Sequence, residues 1–234
     1  MTRLDFDAFD VLTFDCYGTL IDWEAGILAA LRAPLAAHGI GGSDDELLET
    51  FARHEAEVES GPYRPYREVL GAVLTAMLAE RGAVATADEI VMFGGSVAHW
   101  PAFPDSAAAL ARLHERFKLG VITNCDDDLF AASEARLGIK FDWVVTAQQA
   151  KRYKPNPRGF ELMFERVGIP PSRILHVAQS LFHDHVTARR LGLSTVWVDR
   201  RGDKSGPGAT PHAEATPDLR VPDMATLASL AVPA

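Results

Sequence analysis

Short apolar runs alternate with amphipathic segments along most of this chain of 234 residues, and this alternation limits the folds open to it. The runs are rich in Val, Ile and Thr, and most are bounded by turn-forming or charged residues. Short buried strands that alternate with helices are typical of βαβ units, in which helices cover a parallel sheet. The sequence therefore predicts an α/β fold with a doubly wound parallel sheet. The predicted strands are residues 11–14, 119–123, 143–146, 174–178 and 195–198, and the predicted connecting helices are residues 106–116, 127–137, 158–167 and 185–191.

The long interval between the first two predicted strands has a different pattern. From about Trp23 to Ala98 the apolar residues follow helical spacing, and glycine-containing breakers divide the interval into several helices. Ser43 precedes three acidic residues, which is typical of a helix N-terminus. We therefore predict a helical cap domain at residues 22–98, inserted into an α/β core domain. The core domain is formed by residues 1–21 and 99–234.

The stretch at residues 201–222 is rich in Gly, Pro and small polar residues. This composition predicts an irregular surface loop. We expect a short C-terminal helix to follow it.

Charge and composition exclude several classes of partner. The chain has 23 Lys and Arg against 32 Asp and Glu, and a net charge of -9 disfavours binding to nucleic acid or to an anionic membrane. No apolar stretch is long enough to cross a membrane, and the acidic first residues do not resemble a signal peptide, so we expect a cytoplasmic protein. The two cysteines lack the spacing of a metal site.

Polar residues follow four of the predicted strands. Asp15 follows the first strand, Thr123 and Asn124 end the second, Lys154 follows the third, and Asp184 follows the fourth. Because the carboxyl ends of parallel strands meet at one edge of a sheet, we expect these side chains to converge. A carboxylate held beside a lysine is a competent nucleophile, and a hydroxyl and an amide supply oriented hydrogen bonds. A second carboxylate could anchor the lysine or act as a base toward water.

In this order, the four motifs resemble those of the haloacid dehalogenase superfamily, which has a Rossmann-type core. The first motif, Asp-Cys-Tyr-Gly-Thr, begins at Asp15 and has Tyr17 where the phosphatases of that superfamily have a second aspartate. It is similar to the motif of the type II (S)-2-haloacid dehalogenases, whose aspartate attacks the carbon that bears the halogen. Gln179 replaces an acid that ligates magnesium in the phosphatases. The resemblance thus implies a reaction without metal or cofactor.

The resemblance also implies roles for individual residues. Arg53 is the best match for a cap arginine that binds the substrate carboxylate or the departing halide in such dehalogenases. Asp15 would be the nucleophile, with Lys154 as the cation beside it. The implied catalytic residues are Asp15, Thr19, Lys154 and Asp184. The implied substrate-binding residues are Tyr17, Arg53, Thr123, Asn124 and Ser180.

The chain differs from the dehalogenase pattern at three places. Phe160 stands where those enzymes commonly have a tyrosine, six residues after the lysine. The fourth motif, at residues 179–184, is one residue longer. The segment 54–57 adds two glutamates to the cap, where a haloacid would meet a cationic pocket.

The predicted function is therefore the hydrolytic dehalogenation of short (S)-2-haloalkanoic acids through an aspartyl ester. The partner expected is a 2-haloacid or a similar small organic anion. Many relatives form homodimers, and the composition does not decide whether this chain does. The alternatives are a magnesium-dependent phosphatase of the same superfamily and a non-catalytic protein that binds a small anion or a partner.

Two further patterns favour structural roles. The acidic residues 126–128 begin a predicted helix, where carboxylates are favoured by the helix dipole, and we interpret them as capping residues. His176 lies within an apolar strand, which predicts a hydrogen-bonded core histidine.

Overall fold

A parallel sheet of six strands forms the centre of the protein. The computed structural model describes residues 4–202 and 208–233. The strand order is β3-β2-β1-β4-β5-β6, and every neighbouring pair is parallel. The strands are β1 (Val11–Phe14), β2 (Lys118–Thr123), β3 (Trp143–Thr146), β4 (Ile174–Ala178), β5 (Ser194–Val198) and β6 (Leu219–Val221). All of the predicted strands are confirmed, with β2 and β5 each one residue longer than predicted.

Helices on both faces of the sheet make the fold doubly wound, as predicted. They bury β1 completely, and Leu12 and Phe14 have no exposed surface. The helices described are α1 (Trp23–Ala37), α2 (Asp44–Glu59), α3 (Tyr66–Glu80), α4 (Ala87–Gly94), α5 (Ser106–His114), α6 (Asp127–Leu137), α7 (Ala147–Ala150), α8 (Arg158–Val167), α9 (Val186–Arg190) and α10 (Met224–Ala231). None of the helices in residues 4–202 and 208–233 has the length and apolarity needed to cross a membrane.

The sheet topology fixes where a ligand can bind. The chain runs outward from β1 to β2 and β3, and then returns to place β4 on the other side of β1. Ligands of open α/β sheets bind at the carboxyl ends of the strands where the order reverses in this way. Asp15 follows β1 directly and therefore lies at this switch point.

The long interval between β1 and β2 forms helices α1 to α4, as its periodicity predicts. Ser43 caps α2 through a reciprocal capping box with Glu46, in agreement with the sequence. The helices bury their apolar faces against one another, and Phe51 and Leu70 are fully buried. The division of the chain into a cap domain at residues 22–98 and a core domain stays a prediction.

The prediction of an irregular loop over residues 201–222 is wrong at its C-terminal end. Leu219–Val221 forms β6, which pairs with β5 as the edge of the sheet. Ala209 is fully buried, so part of the remaining segment belongs to the core and not to the surface. Residues 203–207 of the predicted loop lie outside the described part of the chain. The predicted C-terminal helix is confirmed as α10.

Candidate active site

A buried lysine joins two buried carboxylates at the carboxyl ends of β1 and β4. Lys154 Nζ lies 2.8 Å from Asp15 Oδ1 and 2.7 Å from Asp184 Oδ1. Its third donor is directed to the carbonyl oxygen of Ile122, at 2.9 Å. All three side chains are nearly inaccessible, with Lys154 only 4% exposed. The predicted convergence of these charged groups is therefore observed, with one ammonium group between two carboxylates.

Burial and charge make the two carboxylates different. Against the opposing effect of burial, the Lys154 ammonium group and a hydrogen bond from His176 lower the pKa of Asp184. For Asp15, burial is the larger effect and raises the pKa, although Lys154 and Thr19 act in the opposite direction. Against the effect of its own burial, Lys154 has its pKa raised by Asp15 and Asp184. Asp15 is thus the more basic of the two carboxylates, which suits a nucleophile.

The turn after β1 holds the second oxygen of Asp15. Thr19 Oγ1 donates a hydrogen bond to Asp15 Oδ2 at 2.7 Å and accepts one from the backbone N–H of Gln179 at 2.9 Å. Gly18 allows this tight turn because its φ of 91° lies in the region that other residues rarely adopt. Both oxygens of Asp15 are therefore fixed, and Thr19 takes the position that the sequence predicts.

A single π-helical turn at Leu181–His185 brings Asp184 to Lys154. A π turn contains one residue more than an α turn, so it accommodates the extra residue noted in the fourth motif. Ser180 Oγ accepts a hydrogen bond from the backbone N–H of His183 at 2.9 Å and begins the turn. The insertion thus leaves the contact between Asp184 and Lys154 intact.

His176 supports Asp184 from within β4, as a hydrogen-bonded core histidine. Its Nδ1 lies 2.9 Å from Thr13 Oγ1, and its Nε2 lies 3.0 Å from Asp184 Oδ1. The ring of Phe160 packs edge-on against the imidazole, with 4.9 Å between ring centroids. Phe160 has no hydroxyl to offer, and the hydrogen bond to Asp184 comes from His176. The predicted structural role of His176 is confirmed.

Asn124 orients the backbone of Lys154. Its Oδ1 accepts a hydrogen bond from the Lys154 N–H at 2.7 Å, and its Nδ2 donates to the Lys154 carbonyl at 3.1 Å and to Glu59 Oε2 at 3.4 Å. The neighbouring Thr123 is buried, and its hydroxyl has no hydrogen-bond partner among the described residues. Thr123 does not line the cavity described below, whereas Asn124 does.

A small cavity lies beside Asp15, between the sheet and helices α2 and α3. Its volume of about 30 Å³ is room for roughly one water molecule. A larger groove of about 790 Å³ shares Glu59, Lys154 and His183 with this cavity and leads toward the surface. The cavity is lined by Asp15, Tyr17, Trp23, Glu55, Glu59, Tyr66, Asn124, Lys154, Ser180 and His183. Tyr17, Asn124 and Ser180 thus lie where the sequence predicts, together with Asp15 and Lys154.

The prediction that Arg53 lines the substrate site is wrong. Its guanidinium donates a hydrogen bond to Glu80 on the outer surface, at 2.9 Å, and 54% of its side chain is exposed. The buried face of α2 contains Leu48, Phe51 and Glu55, which recur at helical spacing. Arg53 lies between these positions along the chain and therefore points away from the cavity.

Glu55 is the main residue of the site that sequence reasoning missed. It is 4% exposed, and Tyr66 donates a hydrogen bond of 2.6 Å to its Oε1. Burial raises the pKa of Glu55 to about 7, although the Tyr66 hydrogen bond acts in the opposite direction. Burial and the neighbouring Glu55 also raise the pKa of Glu59. The helical spacing between Leu48 and Glu55 indicates that both side chains lie on the buried face of α2.

Four further residues of the cavity are not among the predicted site residues: Trp23, Glu59, Tyr66 and His183. Burial lowers the pKa of His183 to about 4, so its imidazole is neutral at neutral pH. Its Nδ1 lies 3.0 Å from Ser180 Oγ. Trp23 and Tyr66 supply apolar surface from the first turns of α1 and α3.

The side chains beside Asp15 offer few anionic oxygens to a magnesium ion. The Lys154 ammonium group bridges Asp15 Oδ1 and Asp184 Oδ1, whereas Asp184 Oδ2 has no hydrogen-bond partner among the described residues. The hydroxyl of Tyr17 instead lies 3.0 Å from Ser133 Oγ. No group of three or more His, Cys, Asp and Glu side chains that could hold a metal occurs in residues 4–202 and 208–233. A divalent cation prefers several anionic oxygens and would be repelled by Lys154.

The acidic run at residues 126–128 ties the inserted helices to the core. Asp126 is 2% exposed, and its carboxylate accepts hydrogen bonds from the backbone N–H groups of Tyr66 and Arg67 at 2.8 and 3.2 Å. It therefore caps the N-terminus of α3, and its side chain makes no capping bond to its own helix α6. Asp128 pairs with the Arg67 guanidinium at the surface. Asp126 is thus a capping residue, as predicted, but it caps α3 and not the helix α6 that it precedes.

The chain is similar in sequence to several known hydrolases. A family model for haloacid dehalogenase-like hydrolases matches residues 9–191. The chain is 24% identical over 202 residues to (S)-2-haloacid dehalogenase 1 of Pseudomonas sp. (strain CBS-3), covering 83% of this chain and 86% of the relative. It is 32% identical over 129 residues to a phosphoserine phosphatase of Thermus thermophilus, covering 53% of this chain and 49% of that protein.

A solved structure shares the fold over almost its whole length. It is the L-2-haloacid dehalogenase of Xanthobacter autotrophicus with chloropropionic acid covalently bound, which superposes with a TM-score of 0.78 at 23% sequence identity. The match covers 95% of this chain and 98% of that one.

Proposed function

Because the chain belongs to the haloacid dehalogenase-like hydrolases, we propose that it cleaves a carbon–halogen bond by forming an ester on Asp15. The observation that carries this proposal is the placement of Asp15, which lines the cavity while Lys154 and Thr19 fix its two oxygens. The relatives that share most of its length and are named as dehalogenases support the same chemistry.

In the first step, a carboxylate oxygen of Asp15 attacks the carbon that bears the halogen. The carbon–oxygen bond forms as the carbon–halogen bond breaks, and the halide leaves with the bonding electron pair. Lys154 and Thr19 hold the nucleophile in one orientation, which lowers the entropic cost of reaching the transition state. Tyr17 and Trp23 supply the cavity wall and limit its size, which favours a short substrate.

In the second step, water attacks the ester carbonyl of Asp15. The negative charge that develops on the carbonyl oxygen is stabilised by the Lys154 ammonium group and the Thr19 hydroxyl. Cleavage of the acyl carbon–oxygen bond releases an alcohol and restores the carboxylate, and a proton is released overall. Asp184 does not line the cavity, and its fully buried carboxylate acts by anchoring Lys154. Asp184 is therefore a positioning residue in this proposal.

A magnesium-dependent phosphatase is the less supported alternative. Its metal would have to bind beside the Lys154 ammonium group, and Tyr17 and Gln179 supply no further negative charge. The phosphoserine phosphatase relative covers only 53% of the chain. The prediction of a reaction without metal is thus retained as part of the proposal.

The proposal is tested by measuring halide release in the presence of EDTA. The substrates are the (S)-2-chloropropanoate anion and the corresponding amide, with the wild type, Asp15→Asn and Asp128→Asn compared side by side. We expect release by the wild type and by Asp128→Asn, whose side chain is 71% exposed, and none by Asp15→Asn. Release by Asp15→Asn at the wild-type rate, or loss of all activity with EDTA, would contradict the proposal.

A further inference from the structure

The cavity beside Asp15 has no cationic donor left for a substrate carboxylate. Lys154 is the sole Lys or Arg lining it among the residues that the structure describes. An ammonium group has three N–H donors, and those of Lys154 are directed to Asp15, Asp184 and the carbonyl of Ile122. An incoming carboxylate would have to break one of these buried contacts to bind Lys154.

The nearby arginines of α2 and α3 are bound elsewhere. Arg53 pairs with Glu80 on the outer surface, and Arg67 pairs with Asp128. Neither lines the cavity. The cap therefore offers no guanidinium group to the space beside Asp15.

The wall that faces Asp15 from α2 consists of carboxyl groups. Glu55 and Glu59 both line the cavity, one helical turn apart. Glu55 Oε1 accepts the Tyr66 hydrogen bond, whereas Glu55 Oε2 has no hydrogen-bond partner in residues 4–202 and 208–233. Glu55 is 4% exposed and lines the cavity, so its second oxygen can accept a hydrogen bond from a donor that enters there.

We propose that Glu55 selects a substrate that presents an N–H donor next to the halogen-bearing carbon, and that the substrate class is the 2-haloamides. This inference rests on the proposed function and narrows it. The amide N–H donates to Glu55, and the amide carbonyl makes the neighbouring carbon a good electrophile. Asp15 displaces the halide, water hydrolyses the ester, and the product is a 2-hydroxyamide with its amide bond unchanged.

A 2-haloalkanoate has neither the N–H donor nor the neutral charge of a 2-haloamide. Its carboxylate has no N–H to give to Glu55, and its negative charge would lie close to Asp15 and, at pH 8, to the ionised Glu55. Like charges in a water-poor site repel strongly.

The first experiment compares kcat/KM for (S)-2-chloropropionamide and (S)-2-chloropropanoate at pH 8. We expect the wild type to favour the amide by at least about tenfold, which corresponds to about 1.4 kcal/mol. Glu55→Gln keeps the acceptor for Tyr66 and adds an N–H donor, so the preference should fall by about tenfold. Glu57→Gln is the matched control because Glu57 lies on the same helix with 78% of its side chain exposed. A wild type that favours the carboxylate, or an unchanged preference in Glu55→Gln, would overturn the inference.

The second experiment separates this inference from the proposed function. Saturation-transfer NMR on Asp15→Asn measures binding of the same two compounds without turnover. Binding of the amide but not of the carboxylate, lost on adding Glu55→Gln, supports the inference even if the wild type releases no halide. In that case the proposed dehalogenase function is refuted, but the binding of an amide by Glu55 is supported. Stronger binding of the carboxylate would refute the recognition whether or not halide is released.

Discussion

Removing the Asp126 carboxylate should loosen the attachment of α3 to the core. Its two oxygens accept the hydrogen bonds of the Tyr66 and Arg67 N–H groups, and Pro65, which precedes them, makes no side-chain capping bond. In Asp126→Ala, the Tyr66 N–H is left buried without a partner, at a cost of about 1 to 3 kcal/mol. Measured as the loss of a helix cap, the same change costs about 0.5 to 2 kcal/mol. We expect the free energy of unfolding to fall by about 2 kcal/mol.

The assay is urea denaturation monitored by tryptophan fluorescence and circular dichroism. The control is Asp128→Ala, two residues along, which removes only an ion pair at the surface with Arg67. Surface pairs of this kind contribute at most about 1 kcal/mol. If Asp126→Ala and Asp128→Ala lower the free energy of unfolding equally, the carboxylate of Asp126 does not join α3 to the core as described.

Three further predictions follow from the charged groups. Because burial raises the pKa of Asp15, kcat/KM should increase with pH as this carboxyl group ionises, and a pH–rate profile that falls instead would contradict its role as the nucleophile. Glu55, with a pKa raised to about 7, contributes stability below its unfolded pKa that is lost as the pH rises through 7. Glu55→Gln should therefore increase the free energy of unfolding more at pH 8 than at pH 5, by up to about 3 kcal/mol. If urea denaturation gives the same increase at both pH values, the raised pKa of Glu55 is refuted. His176→Phe removes the hydrogen bond to Asp184 and should lower the free energy of unfolding by about 2 kcal/mol. The same variant should lower kcat and leave KM nearly unchanged. A kcat equal to that of the wild type would refute the positioning role of His176.

The sheet and the groups it carries were predictable because they depend on local patterns. Apolar runs of four to six residues define β1 to β5, and parallel strands must bring the residues that follow them to one edge. This is sufficient to place Asp15, Lys154 and Asp184 together. By contrast, β6 has only three residues in a stretch rich in Pro and Gly, and its pairing with β5 is decided by tertiary contacts.

The cap side of the site was harder to predict because helices present several faces. Identifying an arginine on α2 by resemblance selected Arg53, although the apolar spacing of the helix places Glu55 on the buried face. The hydrogen bond between Tyr66 and Glu55 joins two helices, and no local pattern specifies it. The extra residue in the fourth motif is visible in the sequence. The π turn that accommodates it is not predictable locally, because it depends on the tertiary contact between Asp184 and Lys154.

The central claim is that Asp15 forms a covalent ester, and a single turnover in water enriched in oxygen-18 tests it most directly. With enzyme in excess over (S)-2-chloropropionamide or (S)-2-chloropropanoate, the hydroxyl oxygen of the product should come from Asp15 and carry no label. Mass spectrometry of the peptide that contains Asp15 should then find one oxygen-18 atom in its carboxylate. Label in the product hydroxyl, with an unlabelled Asp15, would show that water attacks the substrate directly and would contradict the account.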